Sequence, residues 1–216
     1  MRKASALVGL LVMVSPAQAG WQDAVRRAKD YAASRAGVVS FALLPPEGRE
    51  RGLRRNARWY SASLLKPVIL GAYLRQSSVR DRALSPGERA LLAPMIRASA
   101  DEPANRLVPQ LGPPALEALG RRLGLSPFDV TLPIWGSSHI TAQGYARFFR
   151  ALPDAIPSRH RQYARFLLRN VVASQRWGVG AVDVKGWDLL LKGGWRAGRG
   201  YGRIVNVSSI AGKEGN

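Results

Sequence analysis

Tyr60-Ser-Ala-Ser-Leu-Leu-Lys66 joins an extended run to a helical one and places a serine and a lysine three residues apart where the helix begins. Apolar Leu64, Val68 and Tyr73 recur at helical intervals, and Pro67 fits a helix only in its first turn, so the pattern predicts a helix over 63–74. A serine hydroxyl attacks a carbonyl once a base takes its proton, and a lysine serves as that base when burial lowers its proton affinity. Residues at i and i+3 share a helix face, and the free N–H groups and dipole of a helix N-terminus favour a developing oxyanion. The same residues equally suit a plain helix start, with Ser63 as N-cap and Lys66 in water. The pair alone does not decide between these readings.

Upstream, Trp21, Val25, Ala28 and Ala32 line one face of a helix predicted over 21–36, which Gly37 closes. Residues 38–44 read as a strand stopped by Pro45-Pro46, and 53–60 as a second extended run, together an antiparallel hairpin. Downstream, Ser85-Pro86-Gly87-Glu88 has the order of a capping box and opens a helix to about 97. Further helices are predicted over 103–111, 113–124, 142–152 behind a Thr141 cap, and 158–172, with a loop rich in Pro, Trp and Ser over 126–140. Leu189-Leu-Leu191 and 203–207 read as strands. This order predicts an α+β domain, a terminal antiparallel sheet packed with a helical subdomain.

The sequence contains no cysteine and 2 histidines, so neither a disulfide framework nor a thiolate or histidine metal site is expected, and no cofactor is called for. Residues 1–19 have the grammar of a secretory signal: Arg2 and Lys3, then an apolar run over 6–14, then Ala17-Gln18-Ala19 as a small-x-small cleavage site. That run falls well short of the roughly 20 residues of a membrane-spanning helix. The expectation is an exported chain, periplasmic or extracellular, starting at Gly20 and keeping no membrane span. Residues 20–201 suit one monomeric domain. A formal charge of +19 would draw the chain toward anionic envelope polymers. Its arginines are scattered singly or in pairs, such as Arg26-Arg27 and Arg121-Arg122, and not gathered into a stripe with interleaved aromatics. No specific nucleic acid partner is therefore expected.

Two further elements accompany the Ser63–Lys66 pair. Ser99-Ala100-Asp101, followed by Asn105, lies on a loop entering a helix, and Leu191-Lys192-Gly193-Gly194-Trp195 lies where a late strand is predicted. In order and spacing the three elements resemble the Ser-x-x-Lys, Ser-Asp-Asn and Lys-Thr-Gly motifs of class A β-lactamases and penicillin-binding proteins. Ser174-Gln-Arg-Trp-Gly178 and the Thr141 helix also resemble segments of that family, so the likeness spans about 21–200. It implies that Ser63 attacks a carbonyl, Lys66 receives its proton, Ser99 relays that proton to a leaving nitrogen, and Lys192 faces a substrate carboxylate. It implies an oxyanion hole from the backbone N–H groups of Ser63 and Trp195, with Gly193 and Gly194 letting the strand edge approach a ligand. The substrate it implies is a β-lactam or a peptidoglycan-derived acyl compound.

Three departures qualify the likeness. Asp101 stands where the family has Asn, replacing an amide donor by an acceptor-only carboxylate that repels an anionic substrate unless Lys66 or Lys192 neutralises it. The family deacylates with a loop glutamate, yet 126–140 contains no Glu and only Asp129 as an acid, which predicts slow β-lactamase turnover. Residues 202–216, with Arg203-Ile-Val-Asn-Val-Ser-Ser-Ile210, resemble instead the strand and catalytic-serine turn of short-chain dehydrogenases, where Ser209 would be the serine. No glycine-rich dinucleotide loop or Tyr-x-x-x-Lys pair accompanies that stretch. It reads as an atypical, chimeric or truncated tail, although 203–210 can fill the place of the next sheet strand, leaving an exposed edge. The leading expectation is a serine hydrolase; a cationic envelope-binding protein with a vestigial site comes second, and a dehydrogenase fragment a distant third. His139 and His160 are expected at the surface or capping helices, with His139 placed to line the cleft. Trp177, Trp187 and Trp195 are expected in the core or a groove wall.

Overall fold

The computed structural model describes residues 16–35, 37–45, 49–176, 178–181, 187–196 and 203–212. Most of the expected signal, 1–15, and Trp177 lie outside them. Helix α1 runs Pro16–Ala33, starting before the predicted bound and crossing the expected cleavage site. Val25 and Ala32, seven residues apart and thus on one face, are its buried side chains among those described. No described helix is long and apolar enough to cross a membrane.

Strands β1 (Phe41–Leu43) and β2 (Arg51–Leu53) form the first antiparallel ladder, with Phe41 opposite Leu53. The predicted hairpin is thereby corrected. Its second run breaks at Arg54, whose φ of 41° lies in the left-handed region, and Ala57 N–H donates to Arg54 O at 3.0 Å to close a turn. After the turn, β3 (Arg58–Tyr60) pairs with β4 (His139–Thr141), about eighty residues away, and not with β1. A 3-10 turn, Ala62–Leu65, then leads without a break into α2 (Lys66–Leu74). Every residue of α2 is buried. A helix apolar on all sides belongs in the centre of a core.

Around it pack α3 (Pro86–Arg97), α4 (Asp101–Leu111), α5 (Pro113–Arg122) and α6 (Ala142–Ala155), followed by α7 (Ser158–Arg169). The Ser85 capping box is formed: Glu88 N–H donates to Ser85 Oγ and Ser85 N–H to Glu88 Oε2. Thr141 Oγ1 likewise accepts from Gly144 N–H, and Tyr145, Phe148, Phe149 and Leu152 form the buried i, i+3, i+4, i+7 stripe of α6. Helix α7 ends at Arg169, three residues short of the prediction. His160 on α7 is buried, its Nε2 3.0 Å from Val79 O, which corrects its expected surface position.

The third ladder joins β5 (Trp187–Arg196) to β6 (Arg203–Gly212), antiparallel over ten residues with Lys192 opposite Val207. The tail that resembles a dehydrogenase segment is thus strand backbone here, longer than the predicted 203–207. The described sheet structure consists of three two-stranded ladders around a helical body, an α+β arrangement as predicted.

Candidate active site

The 3-10 turn carrying Ser63 is held from three sides. Tyr145, buried in α6, donates its hydroxyl to Leu64 O at 2.8 Å. Ser61 N–H donates to Ser138 O at 2.7 Å, continuing the β3–β4 ladder into the loop before β4. From the third side comes β5. A Cβ on Gly194 would stand 3.2 Å from Ser63 N and 3.1 Å from Leu64 N, closer than a side chain normally comes, so glycine is what lets this strand lie against the turn. Ala62, next to Ser63, has φ of 45°, a left-handed conformation that the surrounding contacts must sustain.

Lys66 lies at the first position of α2, fully buried, and its Nζ is 2.9 Å from Ser63 Oγ. The reading of Lys66 as a solvated lysine is therefore excluded. The same ammonium donates to Ser99 O at 2.5 Å, Ser99 Oγ at 3.3 Å and Asp101 Oδ1 at 2.6 Å. Ser99 reaches it from the turn between α3 and α4. Pro94 O accepts from both Ala98 N–H and Ala100 N–H at 3.1 Å, curling the chain so that Ser99 sits at φ 60°. A non-glycine residue in the left-handed region costs on the order of 1 kcal/mol. Here it turns the hydroxyl and carbonyl of Ser99 together toward Lys66.

Lys192 completes the cluster from β5, 1% exposed, donating to Ser99 Oγ at 2.8 Å and to Gly193 O at 2.6 Å. Ser99 Oγ therefore lies between two lysine ammonium groups. Burial pulls the Lys66 pKa below the ordinary lysine value, with Asp101 partly restoring it. Burial, then the neighbouring Lys66 charge, pushes Lys192 down to about 7. Asp101 is the one carboxylate that faces these cations among the described residues, and its side chain stays 70% exposed. The condition that Lys66 or Lys192 must neutralise Asp101 is met by Lys66. Gly193 is buried beside Gly194, whereas Trp195 is 45% exposed and stands at the edge of the site.

Trp135 is a site residue that sequence reasoning missed. Its ring lies 5.4 Å from Lys66 Nζ, within cation–π range, and its Nε1 donates to Asn105 Oδ1 at 2.7 Å across the cleft from α4. The loop around it is pinned internally, Thr131 N–H donating to Ser138 Oγ at 2.9 Å and Ser138 Oγ to Trp135 O at 2.7 Å. Asp129, by contrast, is 75% exposed and 3.5 Å from Arg121 Nη1. His139 packs against Tyr60 with ring centroids 4.7 Å apart and ring planes tilted by 41°. No group of three or more histidines, cysteines or carboxylates suited to a metal occurs among the described residues.

No family model matches the sequence, and no curated protein matches it. Solved structures do match the fold. A β-lactamase from Sphaerobacter thermophilus aligns with a TM-score of 0.73 at 19% identity, covering 89% of this chain and 84% of its own. A β-lactamase from Desulfarculus baarsii aligns at 0.67 and 25% identity, covering 87% and 82%. An ancestral class A β-lactamase aligns at 0.70 and 19% identity, covering 88% and 86%. The chain has the class A β-lactamase fold. At these identities the likeness speaks to architecture, and the chemistry rests on the lysine–serine cluster itself.

Proposed function

We propose that this chain is an exported serine hydrolase acylated at Ser63 by a β-lactam or a peptidoglycan-derived acyl substrate, with poor β-lactamase turnover. One observation carries the reading: Ser63 Oγ lies 2.9 Å from a fully buried Lys66 Nζ, and Ser99 Oγ lies within reach of both Lys66 and Lys192. In the step it supports, Ser63 Oγ attacks the carbonyl carbon while its proton passes to neutral Lys66. The backbone N–H groups of Ser63 and Trp195 hold the oxyanion. The carbon–nitrogen bond then breaks as Ser99 gives its proton to the leaving nitrogen and takes one from Lys66, which restores the starting charges and leaves an ester on Ser63. Lys192 has one N–H beyond its two hydrogen bonds, and a substrate carboxylate is the group it suits. Hydrolysis of the ester needs an activated water. The loop that faces Lys66 offers the Trp135 indole there, and its one acid, Asp129, is exposed and paired with Arg121, so the ester persists.

Intact-mass measurement after incubation with benzylpenicillin tests this directly. The expected result is a single stable adduct on the mature protein and none on Ser63→Ala; an unlabelled wild-type protein overturns it. The Lys66–Asp101 ion pair favours a second reading, a cationic envelope-binding protein whose base is held as an ammonium ion. That reading expects no adduct, together with salt-sensitive binding of anionic cell-wall polymers.

A further inference from the structure

The charges around Ser63 define a substrate more closely than the serine does. Lys192 presents a cation with no carboxylate among its described hydrogen-bond partners, while Asp101, at the first turn of α4, presents a carboxylate of which only Oδ1 is engaged among the described residues, to Lys66. A carboxylate accepts hydrogen bonds and donates none, so the amide carbonyl that an Asn side chain would welcome meets repulsion at Asp101. An ammonium group meets attraction. Resting on the acylation reading above, we infer that the site selects a zwitterionic acyl substrate, a short peptide or peptide-like lactam with an ammonium on the acyl side, facing Asp101, and a carboxylate on the leaving-group side, facing Lys192.

The placement has a second effect. Asp101 stabilises the charged form of Lys66, and a base that is already protonated cannot take the proton of Ser63. A substrate ammonium sharing Asp101 places a positive charge beside Lys66 and weakens that stabilisation, so Lys66 releases its proton more readily when this substrate is bound. Asp101 thereby acts as a positioning and gating residue; it forms no bond with the reacting atoms. Substrates without the ammonium leave the ion pair closed, and their acylation is slow. No covalent bond beyond Ser63 acylation is involved.

Aminobenzylpenicillin and benzylpenicillin differ by one amino group on the acyl side chain and carry the same carboxylate. Second-order rates of Ser63 labelling are measured for both by intact mass, at low salt and below the pKa of that amine, on the wild-type protein and on Asp101→Asn. The expected result is about fivefold faster labelling by the amino compound on the wild type, the size of a partly exposed ion pair, a ratio that shrinks as salt is raised. Asp101→Asn abolishes the preference and speeds labelling by benzylpenicillin. Equal wild-type rates, or a preference that survives in Asp101→Asn, overturn the inference while leaving Ser63 acylation standing. Absence of label from both compounds overturns the acylation reading itself. A thermal melt of Asp101→Asn, whose side chain is exposed in the wild type, confirms that a folded protein is compared.

Discussion

Lys66 Nζ lies 2.6 Å from Asp101 Oδ1, joining a fully buried cation to a largely exposed carboxylate. Desolvating an ammonium ion is costly, and the cost is offset only while partners remain in place. Removing the carboxylate should therefore hurt more than removing both charges. Asp101→Ala is expected to lose about 1–2 kcal/mol of unfolding free energy, less than a fully buried pair would lose because water reaches the carboxylate. The double variant Lys66→Met/Asp101→Ala should recover most of that loss. Urea unfolding of the wild type, Asp101→Ala, Lys66→Met and the double variant measures it, and additive losses would contradict coupling between the two charges.

Lys192 gives the site a pH dependence with a definite sign. Its pKa falls from 10.5 in an exposed lysine to about 7 in the fold. Below about 7 both folded and unfolded chains carry the proton, and the full cost of the buried charge is present. Between about 7 and 10.5 the unfolded chain binds more protons than the folded one, so stability rises with pH. Lys192→Met should abolish this rise and raise the melting temperature most at the acid end. Labelling runs the other way. If the Lys192 charge receives the substrate carboxylate, labelling by benzylpenicillin falls as pH climbs through about 7. Labelling in Lys192→Met should be lower below about 7 and lack that limb.

Much of the helical body was legible because its signals are local. Ser85 with Glu88, and Thr141 with Gly144, satisfy backbone donors within three residues, and the α6 stripe follows from its own spacing. Ser63, Lys66, Ser99 and Lys192 were legible together through their motifs, and the structure places all four in one hydrogen-bonded cluster. What escaped depends on contacts between distant segments. Trp135 meets Lys66 only because the β3–β4 ladder and the Ser61–Ser138 hydrogen bond carry its loop onto the Ser63 turn. Its presence in a loop rich in Pro, Trp and Ser was visible, but nothing in its spacing pointed to Lys66. Arg54 lacks the glycine that advertises a left-handed turn, so the break in the predicted hairpin had no local mark. His160 is buried by packing against the Val79 turn, which no pattern within α7 reveals.

The Tyr145 hydroxyl isolates how much support the Ser63 turn draws from the core. It is buried and donates to Leu64 O at 2.8 Å. Tyr145→Phe keeps the ring but deletes the donor, leaving the Leu64 carbonyl without it. A loss of about 1 kcal/mol in urea unfolding is expected, together with slower Ser63 labelling because the turn loses one of its anchors. An unchanged labelling rate would show that Ser61 and β5 hold the turn without it.

Gly194 sets how near β5 comes to Ser63. In Gly194→Ala the new methyl group would stand 3.1–3.2 Å from two backbone nitrogens and from Leu64 Cγ. Neither nitrogen lies on a flexible side chain that can swing away. The strand must shift outward instead, and Lys192, two residues earlier on β5, shifts with it. Overpacking of this kind costs roughly 1–3 kcal/mol, so a lower melting temperature is expected. If the Trp195 N–H is one of the two oxyanion donors proposed above, the labelling rate should fall by more than stability alone explains, because that N–H shifts with the strand and one oxyanion donor is typically worth on the order of a hundredfold. Comparison with a variant of equal stability loss far from the site, such as Leu116→Ala in the buried face of α5, separates the two effects. If both variants label at the same rate, close approach of β5 is a packing requirement and the Trp195 N–H is not part of the site.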